Sequence, residues 1–579
     1  MSMVAADTGG NGRGPVSPSL RILVVLRAVN MDRISEGFLR CALERGHTVR
    51  VALDQDKDRR GGITGQGSLF DVLESEFPEF GYEVLAPQRE AWIHPATKLR
   101  CAIDYLRYFE PEFAAAEELR ARSHSRAPWY MRLSAALGLL RLRAVRRGAD
   151  RLLRAVERRM PLSARSLAMM REFEPDVVVV SPLVEIGSPQ GDHLRAADSL
   201  GIPTVLVVAS WDNLTTKGVI RDRPDATIVW NTDQVREATD LHGLPRKTVV
   251  ATGAHSHDHW FDWEPDTTRE DFARKVGLEP SRPFVLYVCS SGFIAGDDEP
   301  EFVREWTARL ARSGVSELQE LGVIVRPHPQ NFPSWRDADL EEPGRIVVWP
   351  RGGVAPTNLR TKRDYFDSLY HAKAVVGINT TALVDSAIVR RPVFTMVSDH
   401  FRSTQTGTIH FSYLARDGGG GLLNVARSWD EHFAQLRDAV RSEEAHRARI
   451  EAFLTAFVRP HGLDRPAAPL ALETIEGAAA SRKEPVVRRG PLRRLVGITA
   501  SGLGRFHVLL QGLRPEEMRK RSQRWRKRRA RAQRERSQRR KQARPPKAPK
   551  REGMPKGSEQ SVESRDEAPE ERVEVKRPG

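Results

Sequence analysis

The residues with the most chemical content lie between Leu321 and Met396. An apolar run beginning at Val323 ends in Arg326-Pro327-His328-Pro329, and a second, Ala374-Val375-Val376-Gly377-Ile378, runs into Asn379-Thr380-Thr381-Ala382-Leu383-Val384-Asp385. Each run has strand length and stops at groups able to hold an anion: a guanidinium and an imidazole in the first, paired hydroxyls at a helix start in the second. Thr380 or Thr381 is placed to cap that helix, leaving free backbone N–H groups and the positive end of the dipole toward the carboxyl edge of a sheet. Two such strand ends side by side would make a diphosphate pocket, with Asp385 one turn further on as an acceptor for ribose hydroxyls. The Thr-Thr segment alone reads as well as a capped helix with one solvated acid; the Arg-Pro-His-Pro strand beside it favours the pocket.

Other polar clusters also follow apolar strands. In Ser210-Trp211-Asp212-Asn213-Leu214-Thr215-Thr216-Lys217-Gly218, Asp212 is the candidate general base for an acceptor hydroxyl, on the expectation that a closed cleft raises its pKa toward the working range. Its competing reading is a turn cap. Trp211, Asn213 and Lys217, together with Asn30 in the loop after the first strand, form the expected acceptor side. Ser290-Ser291-Gly292 closes the strand Pro283–Cys289 with residues small enough for a ligand to approach the backbone. Thr404–His410, including Thr408 and His410, suits a loop that closes over phosphate or base. His255-Ser256-His257-Asp258-His259 would, on a strand, put three imidazoles on one face in the way zinc accepts them.

Val323–Asn331, Asp364–Met396 and the closing Phe457-Val458-Arg459-Pro460-His461-Gly462-Leu463-Asp464 resemble the C-terminal half of GT-B transferases, in particular the CDP-glycerol glycerophosphotransferase and capsule-polysaccharide group. The resemblance is clearest over residues 200–465 and implies an α/β fold of two doubly wound Rossmann-type domains facing a cleft. It also implies that the Arg-Pro-His-Pro strand and the Thr-Thr turn followed by Asp line a nucleotide-diphosphate donor site. The expected donor side is then Ser291, Gly292, Arg326, His328, Asn379, Thr380, Thr381, Asp385, Thr408 and His410, and the expected catalytic residues are Asp212 and His328. Similar Trp-Asp-Asn segments occur in the surface-polysaccharide relatives. The three-histidine run falls where the first domain of this fold hands over to the second, which favours a satisfied hinge segment over a zinc site. No cofactor and no catalytic metal are expected. The expected activity is transfer of a glycosyl or glycerophosphoryl group to a cell-surface polysaccharide or lipid-linked acceptor. The alternatives are a non-hydrolysing sugar-nucleotide epimerase and a non-catalytic RNA- or membrane-associated protein.

The elements that must position these groups alternate as such a fold requires. Leu20–Leu26, Ile34–Arg45 and Thr48–Leu53 read as an opening βαβ unit, whose first loop lacks the glycines of a dinucleotide fingerprint and stands as a candidate acceptor wall. Strands resume at Asp176–Val180, Thr204–Ala209, Ala226–Trp230 and Thr248–Thr252. The expected domains are 20–262, with a helical insertion at 92–172, and 267–480, preceded by a disordered 1–19. Within the insertion, Met131–Arg159 reads as one helix with Leu133, Leu137, Leu140, Val145 and Leu152 at helical spacing, either packed or lying as a basic layer on anionic lipid.

At 579 residues the chain exceeds what one core usually serves. Residues 481–579 carry 31 Lys+Arg against 12 Asp+Glu, more than the whole surplus of +16. The basicity therefore belongs to the tail, 486–579, in which 491–513 reads as an interfacial helix and Arg519–Arg551 holds 18 Lys+Arg against the single acid Glu535. An anionic membrane surface is the expected partner, with nucleic acid as the less favoured polyanion. Three scattered cysteines read as reduced thiols. With no charged start followed by an apolar block and no run long enough to span a bilayer, the expected location is the cytoplasm, peripheral on the inner face of the cell membrane.

Overall fold

The computed structural model describes residues 19–28, 32–55, 69–356, 358–416, 420–442, 444–486 and 490–512. Two wholly parallel sheets organise the chain. The first joins β1 (Arg21–Ala28), β2 (Thr48–Gln55), β3 (Phe80–Val84), β4 (Val177–Ser181), β5 (Thr204–Val207), β6 (Ala226–Val229) and β7 (Val249–Ala251) in the order β3-β2-β1-β4-β5-β6-β7. The second joins β8 (Phe284–Val288), β9 (Gly322–Arg326), β10 (Ile346–Val348), β11 (Ala374–Gly377), β12 (Val393–Met396) and β13 (Asn424–Ala426) in the order β10-β9-β8-β11-β12-β13. Helices cover both faces, so central strands such as Val177–Val180 are apolar at every position and fully buried. The expectation of two doubly wound domains is met.

Strand order reverses between β1 and β4 in the first sheet and between β8 and β11 in the second. Such switch points open a crevice at the strands' carboxyl ends. The second sheet's register pairs Val288 with both Arg326 and Gly377. The loops starting at Cys289, Pro327 and Ile378 therefore leave the sheet edge side by side. Gly377 permits this closeness, since a Cβ there would lie 2.8 Å from the carbonyl oxygen of Val288.

The helical insertion is tied to the first sheet by buried ion pairs. Arg100 contacts Glu157 at 2.9 Å and Asp192 at 2.7 Å, while Arg221 contacts Asp104 at 3.1 Å and Glu157 at 3.2 Å. The single helix expected over Met131–Arg159 is three pieces, Trp129–Ala136, Leu139–Arg141 and Arg143–Glu157. The break falls at Gly138, whose φ of 71° suits glycine. Of the five apolar residues at helical spacing, Leu140 is buried, whereas Leu133, Leu137, Val145 and Leu152 face solvent.

The second domain does not keep the whole of 267–480. The helix Ala467–Ala479 returns to the first sheet, burying Ala471, Leu472 and Ile475 against Phe38, Leu39 and Val179. Asp258 receives the N–H groups of Ala467 and Ala468 at 3.0 and 2.7 Å and pairs with Arg459 at 3.0 Å. The closing Arg459–Asp464 segment thereby locks the hinge to the returning helix. By its contacts the chain divides into two units, one ending at His507 and the other starting at Val508. The described residues contain no helix long and apolar enough to cross a membrane. Cys41 is partly buried and Cys101 and Cys289 are buried; none is in a disulfide.

Candidate functional site

The carboxyl edges of both sheets enclose two adjoining chambers. The first, 240 Å³, is walled by Trp230, His257, His259 and Trp260 on one side and by Arg326, His328, Lys362, Tyr365 and Asp385 on the other. The second, 460 Å³, is walled by Arg27, Arg122, Arg126, Glu185, Trp211, Asp212 and Lys217, facing Ser291, Asn379 and His410. His328, Thr380 and Thr381 border both. The expected donor strand ends thus form the partition between two cavities.

Arg326 is the last residue of β9 and only 8% exposed. Its guanidinium lies 4.6 Å from the centre of the Tyr365 ring and 5.3 Å from that of Trp349. Among the described residues no carboxylate pairs with it, and its Nη1 has no hydrogen-bond partner. Burial pushes its pKa down to about 10, with Tyr365 and Asp364 opposing. A buried cation of this kind is costly unless something anionic joins it.

Asp385 lines the same chamber. One carboxylate oxygen meets His257 Nε2 at 3.0 Å and the other accepts from Tyr365 Oη at 2.8 Å. The side chain expected to receive a ribose thus already anchors two chamber walls. His328 Nδ1 accepts the Gln330 N–H at 3.1 Å, so a neutral His328 ring carries its proton on Nε2. The helix after the second strand end, Ala382–Ile388, starts where expected, with Thr381 at its N-cap position, but the Thr381 side chain makes no capping bond. Its hydroxyl instead accepts from Trp211 Nε1 at 3.2 Å, a contact that ties the two domains together.

In the second chamber, Arg27 pairs with Glu185, Lys217 lies 3.9 Å from Glu185, and the Arg122 guanidinium lies 4.2 Å from the centre of the Phe293 ring. Burial pushes the Lys217 ammonium down; Asp212 opposes this, Arg122, Arg27 and Arg126 add to it, and the result is about 8. Asp212 departs from expectation. Burial does push its pKa up, but Lys217, His410 and hydrogen bonds from Ser210 and Thr216 outweigh burial and hold it below the usual carboxylate value. Its oxygens accept from Ser210 Oγ at 2.7 Å and Thr216 Oγ1 at 3.1 Å. It is an ionised, well-held carboxylate near neutrality, and a weaker base than expected. His410 is neutral, because burial pushes its pKa to about 4 against the pull of Asp212.

Three expected residues are not in the chamber walls. Gly292 packs on Asn331, Asn213 is buried and donates to Asp212 at 3.3 Å, and Thr408 is buried and donates to the Gln405 carbonyl at 2.8 Å. Asn30 lies outside the described residues; its neighbours Arg27 and Ala28 do line the second chamber. The three histidines sit on a 3-10 turn, His255–Phe261, instead of a strand. The rings pack on aromatics, His255 on Phe38, His257 on Trp230 and His259 on Trp263, with Trp260 beside the last two. No metal-binding cluster of His, Cys, Asp or Glu forms among the described residues. The segment is a hinge but not a fully satisfied one, since neither nitrogen of buried His255 has a partner.

Sequence reasoning missed Arg122, Arg126 and Glu185, although the spacing of the two arginines puts them on one helix face. It also missed Glu299. That buried carboxylate accepts the Ser290 N–H at 2.9 and 3.0 Å and so fixes the loop after β8, while burial pushes its pKa to about 8.

No family model matches the chain, and no curated protein matches it. Solved structures do. The S. aureus MnaA-UDP co-structure is 12% identical with a TM-score of 0.44, covering 82% of this chain and 100% of that one. The wall teichoic acid polymerase TagF soaked with CDPG is 9% identical with a TM-score of 0.39, over 79% of this chain and 88% of that one. WaaG, a glycosyltransferase of lipopolysaccharide biosynthesis, is 11% identical with a TM-score of 0.40, over 79% of this chain and 100% of that one.

Proposed function

We propose that the chain is a GT-B-type transferase that binds a nucleotide-diphosphate-linked donor between its two domains. The group it transfers, glycosyl or glycerophosphoryl, goes to a polysaccharide or lipid-linked acceptor of the cell envelope. The observation that carries this reading is buried Arg326, without a carboxylate partner among the described residues, at the carboxyl edge of the second sheet. A diphosphate beside it would supply the missing anion, with His328 Nε2–H and the Thr380 and Thr381 hydroxyls on the partition between the chambers. The aromatic first chamber would take the nucleoside. The second would take the transferred group and the acceptor. Arg326 and His328 would then stabilise charge on the departing nucleotide from fixed positions, with no metal assigned a part. Asp212, ionised and within the second chamber, would orient the acceptor hydroxyl and receive its proton as the bond forms.

The epimerase reading keeps one support: two carboxylates, Glu185 and Asp212, line the second chamber, as acid/base chemistry on a bound sugar would need. A thermal-shift panel of CDP-, UDP-, GDP- and dTDP-linked donors tests the shared premise, and product analysis separates the two readings. Transfer is expected to release free nucleotide only when acceptor is present. Conversion of the donor to an isomer still attached to its nucleotide would favour the epimerase, and no shift with any donor would remove both.

A further inference from the structure

We propose that the helical layer of the first domain is a docking surface for an anionic lipid bilayer, formed by the outward apolar faces of the helical residues Pro491–His507 and of the broken helices between Trp129 and Glu157. The inference does not depend on the donor-site reading.

The helix beginning at Pro491 is oriented the wrong way for an element facing water. Its small residues point inward. Ala500 is buried in a cluster with Trp92, Ala96 and Met160, a Cβ at Gly497 would lie 3.3 Å from Pro161, and one at Gly504 would collide with the Ala91 carbonyl oxygen. At 100° per residue the opposite arc of the helix holds Leu492, Leu495, Ile498, Leu503 and Phe506. These five side chains are between 57% and 71% exposed. Arg494 and Arg505 lie along the edge of that arc, and no acid occurs between Pro491 and His507. A surface helix in water turns its polar face outward. This one turns outward the side chains that would be buried in a soluble protein, and the small-residue stripe prevents it from rolling over, because a leucine would then meet the Ala91 backbone.

The second face repeats the pattern independently. Trp129 is 69% exposed, Leu137 65% and Leu152 65%. Between Trp129 and Arg159 there are seven exposed arginines and no exposed acid. Both faces belong to one layer, since Leu153 and Val156 share a cluster with Val496 and Ala500. Apolar side chains with cationic surroundings and few acids, Asp150 being paired with Arg154, match an anionic bilayer: rings and leucines enter the acyl boundary, and arginines remain at the phosphates. A nucleic acid would engage the arginines but gain nothing from outward leucines. The chain then continues into the 18 Lys+Arg of Arg519–Arg551, charge of the sign that such a surface attracts.

The test is flotation of the full chain with phosphatidylcholine vesicles, with and without roughly one phosphatidylglycerol in three lipids. Two triple variants are compared, Leu495→Ser/Ile498→Ser/Phe506→Ser and Trp129→Ser/Leu133→Ser/Leu137→Ser. All six positions are exposed, so the melting temperature should not change. The parent is expected to bind the anionic vesicles, in part resistant to about 0.5 M salt, where charge attraction is screened. Each triple variant is expected to lose that resistant part by about tenfold or more. Absence of vesicle binding, binding abolished entirely by salt, or unchanged binding in both variants would overturn the proposal. So would RNA binding by a chain that ignores vesicles, or a dimer that the substitutions dissociate. The readout is partition rather than turnover, so failure here leaves the donor-site reading standing, and the converse holds.

Discussion

Replacing Arg326 by methionine should separate ligand binding from folding. Burial pushes the pKa of this cation down to about 10, which at about 1.4 kcal/mol per unit corresponds to a burial cost of about 3 kcal/mol. Because the folded-state pKa of a cation is lowered, the cost is fully present at neutral pH and is relieved only as pH rises past about 10. The Tyr365 and Trp349 rings, at 4.6 and 5.3 Å, offset it by about 1–2 kcal/mol each. Methionine keeps the apolar stem and loses both effects together. Arg326→Met should therefore change stability by no more than about 1–2 kcal/mol in either direction. Ligand binding should respond quite differently. Each charge-assisted hydrogen bond to a phosphate contributes about 1.5–3 kcal/mol, and a guanidinium makes two when it binds bidentately. Nucleoside diphosphates should bind roughly 100- to 10,000-fold more weakly. Calorimetric titration with UDP, CDP, GDP and dTDP, beside thermal melts of both proteins, measures the two effects. A melting temperature lowered by tens of degrees would make Arg326 a structural cation, and an unchanged dissociation constant would remove it from the site.

Lys217, with a pKa of about 8, is charged below that pH, so kcat/KM should decline as pH rises through about 8 if its charge holds substrate. Lys217→Arg should abolish the decline, and an unaltered profile in that variant would contradict the role. Arg100→Leu leaves Glu157 and Asp192 short of a buried partner and should cost about 3–5 kcal/mol in urea unfolding, whereas a loss below about 1 kcal/mol would show the network to be dispensable. EDTA should leave turnover unchanged, because the proposed phosphate ligands are side chains. Loss of activity on chelation, with recovery on adding zinc, would contradict that.

The parallel sheets were readable from sequence because strands buried on both faces are continuous apolar runs. The apolar runs from Val323 and from Ala374 both end abruptly at polar residues, which placed the crevice as well. The second chamber was less readable, since Arg122 and Arg126 reach it from a helix in the insertion rather than from a strand end. The periodicity of Leu133, Leu137 and Leu140 identified helix but not which side is wet, and Gly138 gave the only sign of the break. The direction of the Asp212 pKa shift was misjudged because burial alone was weighed, while the opposing Lys217 and the hydroxyls of Ser210 and Thr216 become neighbours only through the turn. The zinc reading of the hinge histidines required a strand, where alternate residues share a face, whereas the 3-10 turn His255–Phe261 sends them to different faces. The return of Ala467–Ala479 to the first sheet depends on contacts with Asp258, about two hundred residues earlier, which local pattern cannot register.

The most direct test of the account is a crystal structure with a bound nucleoside diphosphate. The account predicts the diphosphate between Arg326, His328 and the Thr380-Thr381 turn, the base in the chamber walled by Trp230 and Trp260, and an unfilled second chamber of 460 Å³ beyond it. A nucleotide bound anywhere else, or a phosphate that leaves the Arg326 guanidinium without an anionic partner, would contradict it.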